Sequence, residues 1–226
     1  MKEVILYPTE TIYGLGVNAF DADALSLLAE IKGRPVTQAV SCLVRNTADI
    51  EHFAQVSDTA RKLMVAFLPG PLTIILPCTD ERLQHMSTDG TVSFRVSPDP
   101  VAQQAIKAFM DQCDAPMTCT SANHHGDTPV DTPAAILEQL GEQAMHVTQV
   151  IDDGARSGVP STVVRCVDDS VEIVRVGAIA ADDIYAAVAL QTLISVSSNI
   201  SCASWRKRTS GAGMASQCNH DAVVGR

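Results

Sequence analysis

Four short stretches join small or turn-forming residues to hydroxyls, amides or cations at the ends of strand-like runs. In open α/β sheets such ends are where ligands bind. The first stretch is Pro8-Thr9-Glu10-Thr11-Ile12-Tyr13-Gly14-Leu15-Gly16. Gly14 and Gly16 permit close backbone approach to a ligand, and Thr9 and Thr11 offer hydroxyls. The loop has neither the Gly-Lys-Ser/Thr end of a Walker A motif nor the third glycine of a dinucleotide fingerprint, so a plain tight turn is the alternative. The second stretch is Lys32-Gly33-Arg34-Pro35. It reads either as a helix C-terminus with dipole-compensating cations or as a seat for a polyphosphate, with a point charge from Lys32 and a bidentate fork from Arg34. Both cations are expected at an exposed helix end, where alanine costs stability only within about 0.5 kcal/mol.

The third stretch is Thr120-Ser121-Ala122-Asn123-His124-His125-Gly126. Ser121 and Asn123, two apart on an extended loop, point the same way and can bond one anionic oxygen or a ribose. Adjacent histidines diverge, and no acidic or cysteine partner lies at ligand spacing, so no metal site is read here. The fourth stretch pairs Gly158-Val159-Pro160-Ser161-Thr162-Val163-Val164 with Val174-Arg175-Val176-Gly177. It places a hydroxyl at a strand start and an arginine before a glycine.

The elements that must position these residues alternate between strand and helix. Strand signals fall at Val4–Tyr7, Val40–Val44, Leu72–Leu76, Thr91–Val96, Pro116–Thr120, 146–151, 161–167 and 171–176. Helical spacing covers 22–32, with Asp21 as its cap, then Thr47–Gln55, Ser57–Leu68, 100–112, 132–141 and 180–190. Pro69-Gly70-Pro71 stops the third of these helices. The mixed spacing predicts an α/β domain over residues 1–190, a twisted sheet with both parallel and antiparallel pairs, flanking helices and a ligand cleft. Residues 191–226 hold no sustained apolar periodicity and read as a mostly disordered tail without assigned role.

Charge divides the same way. Residues 1–190 carry 12 Lys and Arg against 25 Asp and Glu, a net of −13, while the remaining 36 are net +3, giving −10 for the chain. A body this acidic has no global attraction for nucleic acid, so an anionic ligand must be held by a few placed cations. Hydrophobic residues at 46% exclude general disorder, and no apolar run reaches the length of a membrane span. A cytoplasmic protein is expected, with no membrane partner. The seven cysteines, an odd number without a Cys-x-x-Cys pair, fit neither a metal site nor a disulfide framework. Cys42, Cys119 and Cys166, in strand-like runs, read as buried small hydrophobes.

Taken in order, these stretches together with Pro-Gly-Pro-Leu-Thr (69–73) and Phe-Arg-Val (94–96) resemble the YrdC/Sua5/YciO family over roughly residues 4–187. The resemblance implies a YrdC-like domain with threonylcarbamoyl-AMP synthase activity. Such an enzyme joins L-threonine, bicarbonate or CO2, and ATP into threonylcarbamoyl-AMP and pyrophosphate. The product feeds a downstream tRNA threonylcarbamoyl transferase that modifies adenosine 37. ATP is then a substrate, and Mg2+ is expected with it, held by phosphates and water. Lys32 and Arg34 are implied as catalytic, and with Thr91, Ser121, Asn123 and Arg175 they form the implied nucleotide group. Thr9, Arg95 and Ser161 form the implied threonine group, Arg95 being the carboxylate fork. The chemistry needs no covalent nucleophile, since positioning and charge neutralisation suffice.

The chain departs from the family pattern in two places. It begins almost at the first strand, where members usually carry a helix. Thr37-Gln38-Ala39-Val40 replaces an Asp-x-Pro-Leu segment, and Leu43 stands where some members have a threonine-contacting histidine. Two rival readings follow: a non-catalytic paralogue that binds RNA or nucleotide, and an enzyme of a simpler carbamoyl adenylate. The basic run Arg206-Lys207-Arg208 offers at most a weak tRNA contact.

Overall fold

The computed structural model describes residues 2–189, and Met1–Val188 form one compact unit. The expectations for residues 191–226 lie outside the described residues. Among the described residues, nine strands make one sheet. They are β1 (Ile5–Tyr7), β2 (Gly14–Gly16), β3 (Ser41–Leu43), β4 (Leu72–Pro77), β5 (Thr91–Arg95), β6 (Met117–Ser121), β7 (Gln149–Val150), β8 (Thr162–Val167) and β9 (Ser170–Arg175). Their spatial order is β7-β1-β2-β6-β3-β5-β4-β8-β9. The pairs β1/β7, β3/β5 and β4/β8 are parallel and the other five antiparallel, as the mixed spacing predicts.

Five helices flank the sheet: α1 (Ala22–Ile31), α2 (Thr47–Phe53), α3 (Asp58–Phe67), α4 (Pro100–Cys113) and α5 (Pro133–Leu140). Residues 181–189 are also helical, and 3-10 turns cover Glu81–Met86 and Gly141–His146. Their starts are written locally. Asp21 accepts from the amides of Asp23 and Ala24, and Ser57 from that of Ala60. For α2 the cap is Asn46, its Oδ1 accepting from the Asp49 amide. No helix among the described residues is long and apolar enough to cross a membrane.

The central strands sort their residues by the two-residue period. Cys42, Phe94, Ile74 and Val164 are register neighbours and all are fully buried in the core with α2 and α3 side chains such as Ile50, Phe53 and Leu63. Their alternates Ser41, Ser93, Thr73 and Val163 face the other way and line a cavity. A second core cluster joins Leu6 and Leu15 to Leu28 of α1 and Ile136 of α5.

β2 lies within the first stretch, whose residue types read as a loop. Glycine is a poor strand former, but here its smallness is required. A Cβ on Gly14 would meet the Tyr7 ring at 2.9 Å, and one on Gly16 would meet Met117 Cγ at 2.6 Å. Cys42 and Cys166 are buried as expected, whereas Cys119 is half-buried, because its register with Ser41 turns it to the cavity face.

Phe94 is wholly buried and its ring stacks on Phe53 at 6.5 Å. Phe94→Ala should therefore cost about 3–5 kcal/mol of folding free energy, read from the urea midpoint at unchanged slope.

Candidate functional site

The cavity is about 530 Å3 and lies on the open face of β6-β3-β5-β4-β8-β9. From β6 to β8 it crosses four strand spacings of about 4.8 Å, or roughly 19 Å of sheet. Every residue expected at the site lines it except Thr91. Thr91 shares a strand face with Arg95 but sits at the far end of β5, where its hydroxyl donates to the Thr88 carbonyl at 2.8 Å.

At the β6 end, α1 terminates against the third stretch. Lys32 caps the helix and is buried, with 3% exposure, not solvent-facing as its helix-end position predicts. Its Nζ donates to the carbonyls of Ser121 and Asn123, the latter at 2.7 Å, with Ser121 Oγ and Asn123 Oδ1 at 3.4 Å. The ammonium thus ties helix end to strand end, so alanine at this position is not structurally silent. Burial, reinforced by the neighbouring Arg34 charge, lowers its pKa to about 7. Arg34 is half-buried beside it, its Nε enclosed without a partner, and burial lowers its pKa as well. These two cations, Ser121 and Asn123 are brought together as the sequence predicts.

The middle of the cavity is built around Arg95, which β5 carries inward at 6% exposure. Its Nη2 donates to Glu10 Oε1 and to Thr11 Oγ1, both at 2.7 Å. Burial opposes the charge, but Cys119 and the Glu10 carboxylate outweigh it and raise the guanidinium pKa. Thr9, 1% exposed, donates its hydroxyl to the Ile12 carbonyl at 2.6 Å and contacts Thr11 Oγ1 at 3.0 Å. Thr9 therefore shapes the first loop, while Thr11 reaches Arg95. Thr11 is one of the two hydroxyls that the first stretch offers, whereas the contacts of Glu10 and Thr73 are not marked by residue type alone.

At the β8 end, Ser161 Oγ lies 2.8 Å from Thr73 Oγ1. Arg175 Nη2 donates to the Ser161 carbonyl at 2.8 Å, so the geometry groups Arg175 with Ser161 rather than with Ser121 and Asn123. Burial, with repulsion from Arg95, lowers the Arg175 pKa. Two glycines allow the surrounding loops to close. A Cβ on Gly158 would lie 2.5 Å from the Thr11 carbonyl, to which the Gly158 amide donates at 2.7 Å, and one on Gly177 would lie 2.2 Å from the Pro160 carbonyl. Four cations on a floor of hydroxyls can neutralise a polyphosphate and a carboxylate in one enclosure.

Comparison with known proteins places the fold in a family. The Sua5/YciO/YrdC family model, described as "Telomere recombination", matches residues 1–177. The chain belongs to the Sua5/YciO/YrdC family. The threonylcarbamoyl-AMP synthase of Bacillus subtilis is 34% identical over 194 residues, covering 83% of this chain and 53% of its own length. Among solved structures, the Pyrococcus abyssi Sua5 complexed with L-threonine superposes with a TM-score of 0.71 at 26% identity, over 83% of this chain and 54% of that one. E. coli YciO superposes with a TM-score of 0.67 at 29% identity, over 78% of this chain and 84% of that one. The chain thus spans about half the length of the Bacillus and Pyrococcus relatives and most of YciO. The family fold accounts for the mixed sheet with flanking helices.

Lys32 supplies a direct test of anion binding in this family member. With a pKa of about 7 it is about nine-tenths neutral at pH 8. Phosphate oxygens favour the charged form and raise that pKa. ATP binding at pH 8 should therefore take up close to one proton per site, falling toward zero at pH 6 and absent in Lys32→Met. Calorimetry in buffers of differing ionisation enthalpy measures it.

Proposed function

We propose that this protein is an L-threonylcarbamoyladenylate synthase, a nucleotidyltransferase that makes threonylcarbamoyl-AMP and pyrophosphate from L-threonine, bicarbonate or CO2, and ATP. One observation carries the reading. A single cavity in an acidic body holds two cationic centres, Lys32 with Arg34 and Arg95 with Arg175, separated across a hydroxyl-lined floor. That layout suits a substrate pair with a polyphosphate at one end and an amino-acid carboxylate at the other. The names of the Bacillus and Pyrococcus relatives, and threonine in the latter's structure, point to the same reaction.

In the chemistry, the threonine amine adds to CO2 and loses a proton to give a carbamate. A carbamate oxygen then attacks the α-phosphorus, and the α–β bridging oxygen leaves with pyrophosphate. Lys32 and Arg34, with Ser121 and Asn123, would receive the phosphates and neutralise the charge that builds on the leaving group. Arg95 would take the threonine carboxylate, with Thr9, Thr11 and Ser161 shaping the space around it. Proximity supplies the remainder, since both reactants lie in one enclosure. Asp127 is the one carboxylate among the described cavity-lining residues. A Mg2+ arriving with ATP would take most of its ligands from phosphates and water. The product would pass, in the cytoplasm, to a tRNA threonylcarbamoyl transferase.

Pyrophosphate release by the purified protein should require both L-threonine and bicarbonate. Equal release with serine, glycine or no amino acid would sink the threonine assignment and favour a different adenylate. Arg34→Ala should reduce the rate by about two orders of magnitude or more. Its melting temperature should stay near that of the unaltered chain, because Arg34 makes no side-chain bond that holds the fold. Near-normal rates in that variant would remove Arg34 from the phosphate group.

A further inference from the structure

Glu10 does not line the cavity, yet its carboxylate is the ion-pair partner of the cavity-lining Arg95. Oε1 accepts from Arg95 Nη2 at 2.7 Å, and Oε2 accepts from Ser97 Oγ. Ser97 is itself fixed at the start of α4: its hydroxyl accepts from the Asp99 amide at 3.2 Å, and Gln103 donates to its carbonyl at 2.6 Å. Thr11 takes the second hydrogen of Nη2. Both Nη2 hydrogens are therefore committed to the protein, and Nε is enclosed without a partner. Nη1 is left as the group that meets the cavity.

We propose that Glu10 is the positioning residue of Arg95: the Ser97–Glu10–Arg95 chain fixes which edge of the guanidinium is offered to an amino-acid carboxylate. This rests on the reading of Arg95 as the carboxylate partner. Reach is the feature that matters. The carboxylate must span from the α4 start to β5, and its charge is secondary, because a second anion near the substrate carboxylate can only repel it.

Three substitutions separate reach from charge. Glu10→Gln keeps the acceptor and the length but loses the charge. Glu10→Asp keeps the charge but shortens the reach, and Glu10→Ala loses both. Two readouts are needed. Pyrophosphate release gives KM for L-threonine and for ATP, and 15N NMR shows whether the two Nη groups of Arg95 give separate, slowly exchanging signals.

We expect KM for threonine to rise about tenfold or more in Glu10→Ala and Glu10→Asp, with KM for ATP and kcat changed less than about twofold. Glu10→Gln should match or undercut the unaltered KM. Separate Nη signals should persist in the unaltered chain and in Glu10→Gln and merge in the other two. The proposal is overturned if Glu10→Gln loses threonine affinity as Glu10→Ala does, if Glu10→Asp behaves as the unaltered chain, or if both KM values rise together. Glu10→Asp and Glu10→Gln keep the test decisive should Glu10→Ala not fold. Signals that merge in Glu10→Ala, in a protein whose pyrophosphate release ignores threonine, would support the Glu10 hold and refute the synthase reading.

Discussion

A guanidinium buried in the middle of a β-sheet is the constraint that organises this protein. Arg95 is 6% exposed on β5 and carries its charge into the floor of the cavity. Removing such a charge from water costs several kcal/mol unless partners compensate, and those partners must come from elements far away in sequence. Glu10 and Thr11 reach it from the loop after β1, and Ser97 holds Glu10 from the start of α4. The first loop cannot move without stranding the arginine. Gly158 in turn locks that loop, since its amide bonds the Thr11 carbonyl across a gap that admits no side chain. The tie specifies geometry more than it adds stability, since apolar replacement of a buried ion pair is often no less stable.

The sheet meets two opposed demands with one alternation. Phe94 and Ile74 point into the helix-covered core, while Ser93, Arg95 and Thr73 point into the cavity. A register slip of one residue would expose the phenylalanine and bury the arginine without partners, so register is strongly specified. The cavity floor is in this sense a by-product of packing a core against only one face of the central strands. The net −13 of residues 1–190 makes the placed cations the local exception. Such cations act on an anion over short range, whereas an acidic body supplies no long-range attraction for nucleic acid.

Most of the fold and much of the site were legible because they rest on local signals. The alternation Thr91–Val92–Ser93–Phe94–Arg95 shows which residues share a face, and Asp21 and Ser57 cap the helices they precede. β2 was not legible, because its Gly14 and Gly16 are required by Tyr7 and Met117, which lie outside the stretch. Thr91 kept the right face but not the cavity, since a face does not tell how far along a strand the cavity extends. Glu10 carried no signal of its own. Its role depends on Arg95, 85 residues away, and only the folded chain joins them.

Lys32 shows why a helix end cannot be assumed to face solvent. The cation lies beside Arg34, but its surroundings are the carbonyls of Ser121 and Asn123 rather than water. Those carbonyls belong to the stretch whose side chains would also hold the nucleotide. A phosphate that draws Nζ toward itself therefore competes with the bonds that keep α1 against β6. On the proposed reading, nucleotide binding and the conformation of residues 121–127 would be coupled through one ammonium group, with Asn123 bonded onward to the carbonyls of His124 and Asp127. Arg34, whose enclosed Nε has no such tie, can answer a phosphate without disturbing the helix end. The two cations are two residues apart and alike in charge, yet only Lys32 is bonded to the strand end that α1 meets.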